Sequence, residues 1–361
     1  MRFHLTALFV LVSLVLPGLA QTQVKRSQTA DRSQHVHATA RVLAETYDEN
    51  TGLFRGTGWW NSANGISALV EAARVLHATE FDAIFQTTFS AAQHQAPGFR
   101  NEFYDDEGWW ALAWLDVYDL RGDRRNLEMS KSIFDDMTTG WSDTCGGGIW
   151  WKKNVRYKNA IANELFLSVA VRLAAATSGQ DRARYLDWAQ KEERWFVNSG
   201  MINDQGLIND GLDSACHNNH ATTWTYNQGV VLSGLSGLSK LTHDPAPLQL
   251  ADHIAAAVGR QLVDAHGVLH DPCEPNCGGD GIQFKGILVR NLVTLQQAHP
   301  SPEIVTLLDQ NAESLWRNAR TENGHFSVNW AGPPQDSGTG SLISALDALA
   351  SQVLVEQPKR R

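Results

Sequence analysis

Between residues 30 and 355 the chain repeats one alternation, in which a helical pattern of small and apolar residues is followed by one with a single polar face. Apolar positions recur at three- and four-residue spacings, and clusters of Gly, Pro, Asn and Asp separate the patterns. No run of alternating strand pattern interrupts them. Twelve helices are expected, starting near Asp31, Trp60, Phe81, Asp105, Arg125, Lys158, Asp181, Thr223, Pro245, Gln283, Pro302 and Ser337, which makes six hairpins.

The even-numbered patterns, such as residues 66–70 and 229–238, carry almost no charge. Helices apolar nearly all round are buried. The odd-numbered ones, such as residues 181–195 with Arg182, Arg184, Lys191, Glu192, Glu193 and Arg194, carry one polar face and belong outside. An inner ring wrapped by an outer ring has this alternation, so the expected fold class is all-α: an (α/α)6 toroid of six helical hairpins. A solenoid of helix pairs alternates similarly, but its repeats keep a fixed period. Here the inner helices start at uneven intervals after long loops rich in Gly, Trp and Asn, which suits functional loops at one end of a closed toroid.

Composition sets the remaining bounds. A hydrophobic content of 43% with 13 tryptophans supplies a packed core for one large domain. A net charge of -9 argues against nucleic-acid binding, which needs clustered Lys and Arg, and favours a neutral or weakly charged substrate. At the N-terminus Arg2 and His4 precede an apolar run over residues 5–16, a Pro17-Gly18 break and Ala20. This pattern reads as a signal peptide over residues 1–20, leaving one catalytic domain over 21–361 with an ordered core over about 30–355. The run is shorter than the roughly 20 apolar residues of a membrane span. The expected location is extracellular, or periplasmic in a Gram-negative cell.

Cys145, Cys216, Cys273 and Cys277 behind such a leader suggest two disulfides with three possible pairings, Cys273 and Cys277 being able to close a local loop. A zinc site using His217, His220, His266 and His270 competes, but Cys-x-x-x-Cys beside two prolines is not a finger spacing.

The sharpest local feature is Tyr104-Asp105-Asp106-Glu107-Gly108-Trp109-Trp110, acidic residues at the mouth of an inner helix with aromatics behind them. One aspartate there is explained by capping and by the helix dipole. Two adjacent aspartates and Glu107 exceed that need. Glycoside hydrolysis uses two carboxyls, about 5 Å apart for retention or roughly 6.5 to 9.5 Å apart for inversion, and neighbours at a helix start suit the shorter distance. Helix amides would hold one aspartate ionised, and its charge would keep the other protonated. Which residue takes which role stays open on these grounds.

Trp59, Trp60, Trp109, Trp110, Trp141, Trp150, Trp151, Trp224 and Trp330 lie at or beside expected loops, where indole faces can stack on sugar rings. Core packing accounts for about half of them. Asn61, Asn64, Asn159, Asn163, Tyr226, Asn227 and Gln228 offer polar groups at the same end, suited to a substrate made of hydroxyls.

These features together resemble glycoside hydrolase family 76, the secreted endo-α-1,6-mannanases and their fungal cell-wall relatives. The blocks that carry the resemblance are Tyr104-Asp105-Asp106-Glu107-Gly108-Trp109-Trp110, Cys145-Gly146-Gly147-Gly148-Ile149-Trp150-Trp151, Lys158-Asn159-Ala160-Ile161-Ala162-Asn163-Glu164, Thr225-Tyr226-Asn227-Gln228-Gly229 and Phe284-Lys285-Gly286-Ile287. The resemblance implies an (α/α)6 barrel and a retaining double displacement with Asp105 as nucleophile and Asp106 as acid and then base. Substrate-binding candidates are Asn61, Asn64, Trp109, Asn159, Asn163, Tyr226, Asn227 and Lys285, although Lys285 could equally support a carboxylate or a loop. Glu164 is either a substrate ligand or the partner of an arginine. The implied disulfides are Cys145 with Cys216 and Cys273 with Cys277. The chain ends in Gln357-Pro358-Lys359-Arg360-Arg361 without the apolar tail of a glycolipid-anchor signal, so a soluble protein acting on α-mannan is expected, a monomer because no long exposed apolar seam remains once twelve helices close on themselves, with no metal, no cofactor and no nucleic acid.

Three rivals remain. A transglycosidase would pass the covalent intermediate to another sugar and exchange chains. Another toroid glycosidase or a polysaccharide lyase would act on a different sugar, and a lyase would want a Tyr or His base and a cation facing an acidic sugar, which the net negative charge disfavours. A noncatalytic glycan binder would hold mannan without product.

Overall fold

The computed structural model describes residues 17–356, with side chains from residue 29 onward. Residues 1–16, which hold most of the expected leader, and 357–361, the basic end, lie outside the described residues. Twelve long helices follow one another: α1 (Pro17–Glu45), α2 (Trp59–Leu76), α3 (Asp82–Ala91), α4 (Tyr104–Arg121), α5 (Arg124–Met137), α6 (Ala160–Ala176), α7 (Gly179–Asn198), α8 (Thr225–Thr242), α9 (Ala246–Gln261), α10 (Phe284–Ala298), α11 (Pro302–Ser314) and α12 (Thr339–Leu354). All but the first start within two residues of where the sequence puts them. Helix α1 reaches back past the expected Asp31 to Pro17, because no Gly or Pro interrupts residues 19–45 and proline is tolerated at a helix's first position.

The alternation has the expected meaning. Every residue of α12 is buried, and α6 is buried along nearly its whole length. In α5 only one stripe is buried, Asn126, Leu127, Ser130, Ile133, Phe134 and Met137, at the three- and four-residue spacing of an amphipathic helix. The inner helices α2, α4, α6, α8, α10 and α12 pack side by side in that order, and α12 returns to α2. That return separates a toroid from a solenoid. Helix α1 lies across both α12 and α2 and so covers the seam where the ring closes.

An outer helix runs back between consecutive inner ones, so all six inner helices point the same way and their N-termini share one end. The connections at the far end are short, at 77–81, 122–123, 177–178, 243–245 and 299–301. Those at the shared end are long, at 46–58, 92–103, 138–159, 199–224, 262–283 and 315–338. Sheet is confined to them. Tyr47–Asp48 pairs antiparallel with Leu53–Phe54, and single bridges join Trp141 to Ile149, Ile202 to Ile208, Val263 to Leu269 and Arg320 to Phe326. Among the described residues no helix is long and apolar enough to cross a membrane.

Ring closure brings backbones into contact. A Cβ on Gly229 of α8 would sit 2.6 Å from Leu288 Cα on α10, and one on Gly286 of α10 would sit 2.5 Å from Ser344 Cα on α12. Backbone cannot rotate aside as a side chain can. The Gly286→Ala variant is therefore expected to lose about 1–3 kcal/mol of stability while keeping its helical content, as read by urea unfolding followed through circular dichroism.

Candidate active site

The first turn of each inner helix performs a division of labour. In four of them the fourth residue turns back to hold the preceding loop. Ser62 of α2 accepts from Phe54 N (3.2 Å), Glu107 of α4 accepts from Asn101 N (3.3 Å), Asn163 of α6 accepts from Ile149 N (2.7 Å), and Gln228 of α8 accepts from Ile208 N (2.8 Å). In three of them the second residue lies at the toroid mouth. There α2 contributes Trp60, α4 Asp105 and α8 Tyr226.

Asp105 and Asp106 occupy the second and third positions of α4, behind the extended N-cap Phe103. Asp105 Oδ2 accepts from the Trp151 indole at 3.0 Å, while its Oδ1 is buried with no partner. Asp106 Oδ2 accepts from Asn101 Nδ2 at 2.6 Å. Glu107 stands apart from the pair. Its Oε1 takes 2.7 Å from Lys153 Nζ, which also binds Asp136, so this third carboxyl is an internal tie between α4 and the loop 138–159.

Around the pair runs an aromatic wall. Trp60 stacks on Trp109 (5.5 Å between centroids, 25° between planes) and on Phe284 (6.5 Å, 28°). Tyr226 lies flat on Phe284 at 3.8 Å, with Trp224 edge-on to the same ring. Sugar rings present C–H faces to such surfaces. Trp110, Trp114 and Trp330 are core, Trp59 packs on Trp110, Trp141 packs on Trp188 and Phe166, and Trp150 lies beneath the Lys158 ammonium.

Several candidate sugar ligands prove to be spent on the protein itself. Asn61 accepts from Gly58 N (3.1 Å) and donates to Gln283 Oε1 (3.0 Å). Asn159 is the N-cap of α6, accepting from Ala162 N at 3.3 Å. Asn163 uses its amide on Ile149 O (3.1 Å) and Asn159 O (2.7 Å) besides Ile149 N. Lys285 is buried, pairs with Glu274 and donates to Val328 O (2.7 Å), the carboxylate-supporting and loop-holding alternative. Asn64 accepts 2.6 Å from Arg290, which pairs with Asp347 in the barrel interior. A cavity of about 820 Å³ at the far end is walled by charges that already have partners, Arg172 with Asp116 and Asp119, Arg74 with Glu71, and Arg290 with Asp347.

Of the candidates, Trp109 and Tyr226 line the mouth, and Asn227 is fully buried with neither amide atom partnered. Glu164 has no arginine: both carboxyl oxygens are buried and unpartnered, and burial, with the charge of Asp210 adding to it, pushes its carboxyl well above the usual glutamate range. Sequence reasoning missed Asn101, Tyr157, Asp210 and Asp280. Tyr157 donates to Asp210 and sits edge-on to Trp151. All four come from the long connections at the shared end, outside the twelve long helices, where no sustained periodicity marks a facing direction.

Both disulfides pair as implied. Cys145–Cys216 (Cα–Cα 5.2 Å) ties the loop before α6 to the loop before α8, and Cys273–Cys277 (4.7 Å) folds the loop before α10 on itself. With all four sulfurs bonded, a thiolate zinc site is ruled out.

Electrostatics departs from the expectation of one clearly ionised aspartate. Burial pushes both carboxyls up, Asp105 further than Asp106 because the neighbouring charge adds to it, and the Trp151 and Asn101 bonds pull back only in part. Close carboxyls of this kind titrate as one unit. The pair thus retains protons to higher pH than two free aspartates would.

A family model described as Glycosyl hydrolase family 76 matches residues 29–360. The chain belongs to glycosyl hydrolase family 76. Similar members include the mannan endo-1,6-alpha-mannosidase DCW1 of Saccharomyces cerevisiae, 25% identical over 349 residues that make 86% of this chain and 76% of that protein. The α-1,6-mannanase GH76A of Salegentibacter sp. HEL1_6 superposes with a TM-score of 0.80 at 25% identity, over 90% of this chain and 100% of that one. An inactive variant of the same mannanase, with two consecutive aspartates changed to asparagine, is bound to alpha-1,6-mannotriose, at TM-score 0.80 and 24% identity over 90% and 100% of the two chains.

Two outcomes follow for this family 76 site. Asn163→Ala strands the Ile149 amide, so it is expected to lower stability by about 2–4 kcal/mol in urea unfolding, with little change in sugar affinity at a temperature where the variant stays folded. The raised carboxyls give the folded state more bound protons than the unfolded one above about pH 4, so their contribution to stability falls as pH rises toward neutrality. A variant with both Asp105→Asn and Asp106→Asn should therefore melt at a higher temperature than wild type, by a wider margin near pH 8 than near pH 4.

Proposed function

We propose that the chain is a secreted, retaining endo-α-1,6-mannanase. The observation that carries this reading is the adjacent Asp105 and Asp106, half-buried at the N-terminus of an inner helix inside an aromatic-walled mouth, with both carboxyls pushed up from the usual aspartate range. Asp105 attacks the anomeric carbon while Asp106 protonates the departing glycosidic oxygen. Asp106 then draws a proton from water, which releases the glycosyl group from Asp105. Asp105 is pushed up further than Asp106 without substrate, and bound substrate reverses that order, because the glycosidic oxygen approaches Asp106 while positive charge grows beside Asp105 and favours its anion.

The names of the relatives and the α-1,6-mannotriose bound to the Salegentibacter variant support an α-1,6-mannan substrate. Two disulfides and the N-terminal leader pattern support secretion, with cleavage near Gln21.

The test is to incubate the protein and its Asp105→Asn and Asp106→Asn variants with linear α-1,6-mannan, following reducing ends and oligosaccharide sizes. Internal cleavage by wild type, reduced about a thousandfold or more in each variant, is expected. The first product should carry the α-anomer in proton NMR. A β-anomer would overturn retention, longer or exchanged chains would bring forward the transglycosidase, and binding without product the glycan binder.

A further inference from the structure

The loop 262–283 is built more firmly than a connection to α10 requires. Asp271 accepts from Thr225 N (2.9 Å) and Thr225 Oγ1 (2.6 Å), fixing the loop to α8. Gln283 exchanges two hydrogen bonds with Asn61, at 3.0 and 3.2 Å, fixing it to α2. Between these anchors the Cys273–Cys277 disulfide packs under Gly281, where a Cβ would lie 3.1 Å from Cys273 Sγ. The short helical turn Gly278–Gly281 caps the construction, and its one ionisable side chain is Asp280.

Asp280 is exposed, yet it is held. Its Oδ1 accepts from the Trp60 indole at 3.0 Å, and that indole is the one stacked on Trp109. Its charge reaches Asp106 and Tyr226. Oδ2 has no protein partner among the described residues. A rigid frame thus ends in one carboxylate oxygen open to the mouth, on the Asp106 side of the pair. Asp105 is held instead by the Trp151 indole, to which Tyr157, bonded to Asp210, stands edge-on.

We propose that Asp280 is a substrate-binding residue on the leaving-group side of the cleft, where its free oxygen accepts hydroxyl hydrogen bonds from the departing mannosyl unit while Trp60 and the Cys273–Cys277 loop hold it in place. This rests on the mannanase reading, since the side is defined by Asp106 acting as the acid. An aspartate fits a sugar better than a lysine or an apolar residue here, because an ionised carboxylate is acceptor-only and every mannose hydroxyl can donate.

The test compares wild type, Asp280→Asn and Asp280→Ala on α-1,6-mannan and on an α-mannobiosyl fluoride, whose leaving group carries no sugar and needs no protonation. The expected result is a fall of about tenfold or more in kcat/KM on mannan, with turnover of the fluoride within about twofold of wild type. Asn still accepts from Trp60, so Asp280→Asn isolates the charge from the clasp. Asp106 faces Asp105, Asp280 and the neutral Asn101, so removing the Asp280 charge should also move the alkaline limb of the mannan pH profile to lower pH. Equal losses on both substrates, or none on either, would overturn the assignment. Wild type inert on both substrates would instead fail the mannanase reading. The assignment is then decided by calorimetry with a mannooligosaccharide long enough to cross the pair, bound to the Asp105→Asn, Asp106→Asn protein with and without Asp280→Ala. Affinity weaker by about tenfold supports it, and unchanged affinity sinks it.

Discussion

Six helices can close around a common axis only if neighbouring backbones come nearly into contact, and in this protein glycines at the crossings permit it. Gly229 meets the backbone of α10 and Gly286 that of α12, where Ser344 Oγ accepts from the Gly286 amide at 2.9 Å. Closure of the ring then dictates the rest. The inner helices run in parallel, their N-termini gather at one mouth, and each long loop must enter that mouth to reach the next helix. The far end needs only short turns and is filled by paired charges, with Asp116 between Arg172 and Ser67 and Arg290 between Asp347 and Asn64.

Gathering helix N-termini supplies amide donors at the mouth, a favourable setting for anions. Burial opposes it. Around Asp105 and Asp106 burial wins, because the aromatic wall and the Trp151 side chain displace the water that would solvate two charges. The outcome is a pair of neighbouring carboxyls both pushed up from the usual aspartate range, Asp105 further than Asp106. An Asp at a helix start in an open, solvated position would be an ordinary cap.

The polar residues that a sequence marks as sugar ligands divide by their place in the helical turn. Asn163 and Gln228, fourth in their helices, spend every hydrogen bond on the loop behind them, and Glu107 belongs with them despite sitting beside the aspartates. Asn61 and Asn159 serve as local caps. Such a first-turn polar residue has the same letters whether it clasps backbone or awaits a ligand. The repeated fourth position was present in the sequence, but its partners lie across loops whose path no periodicity reveals.

The sequence alone determined the ring of helices, because apolar content and helical period are local properties that each segment carries without its neighbours. It also determined the helix that presents Asp105 and Asp106, since adjacent acids beyond what capping needs are visible in one dimension. The disulfide pairing came by resemblance, and the Cα separations agree with it. Only the tertiary structure decided that α12 meets α2, that Asn64 and Lys285 answer charges or loops inside the protein, and that Asp280 reaches the mouth through Trp60. Those relations join residues more than ten positions apart through irregular chain, and the path of a loop is set by what it packs against.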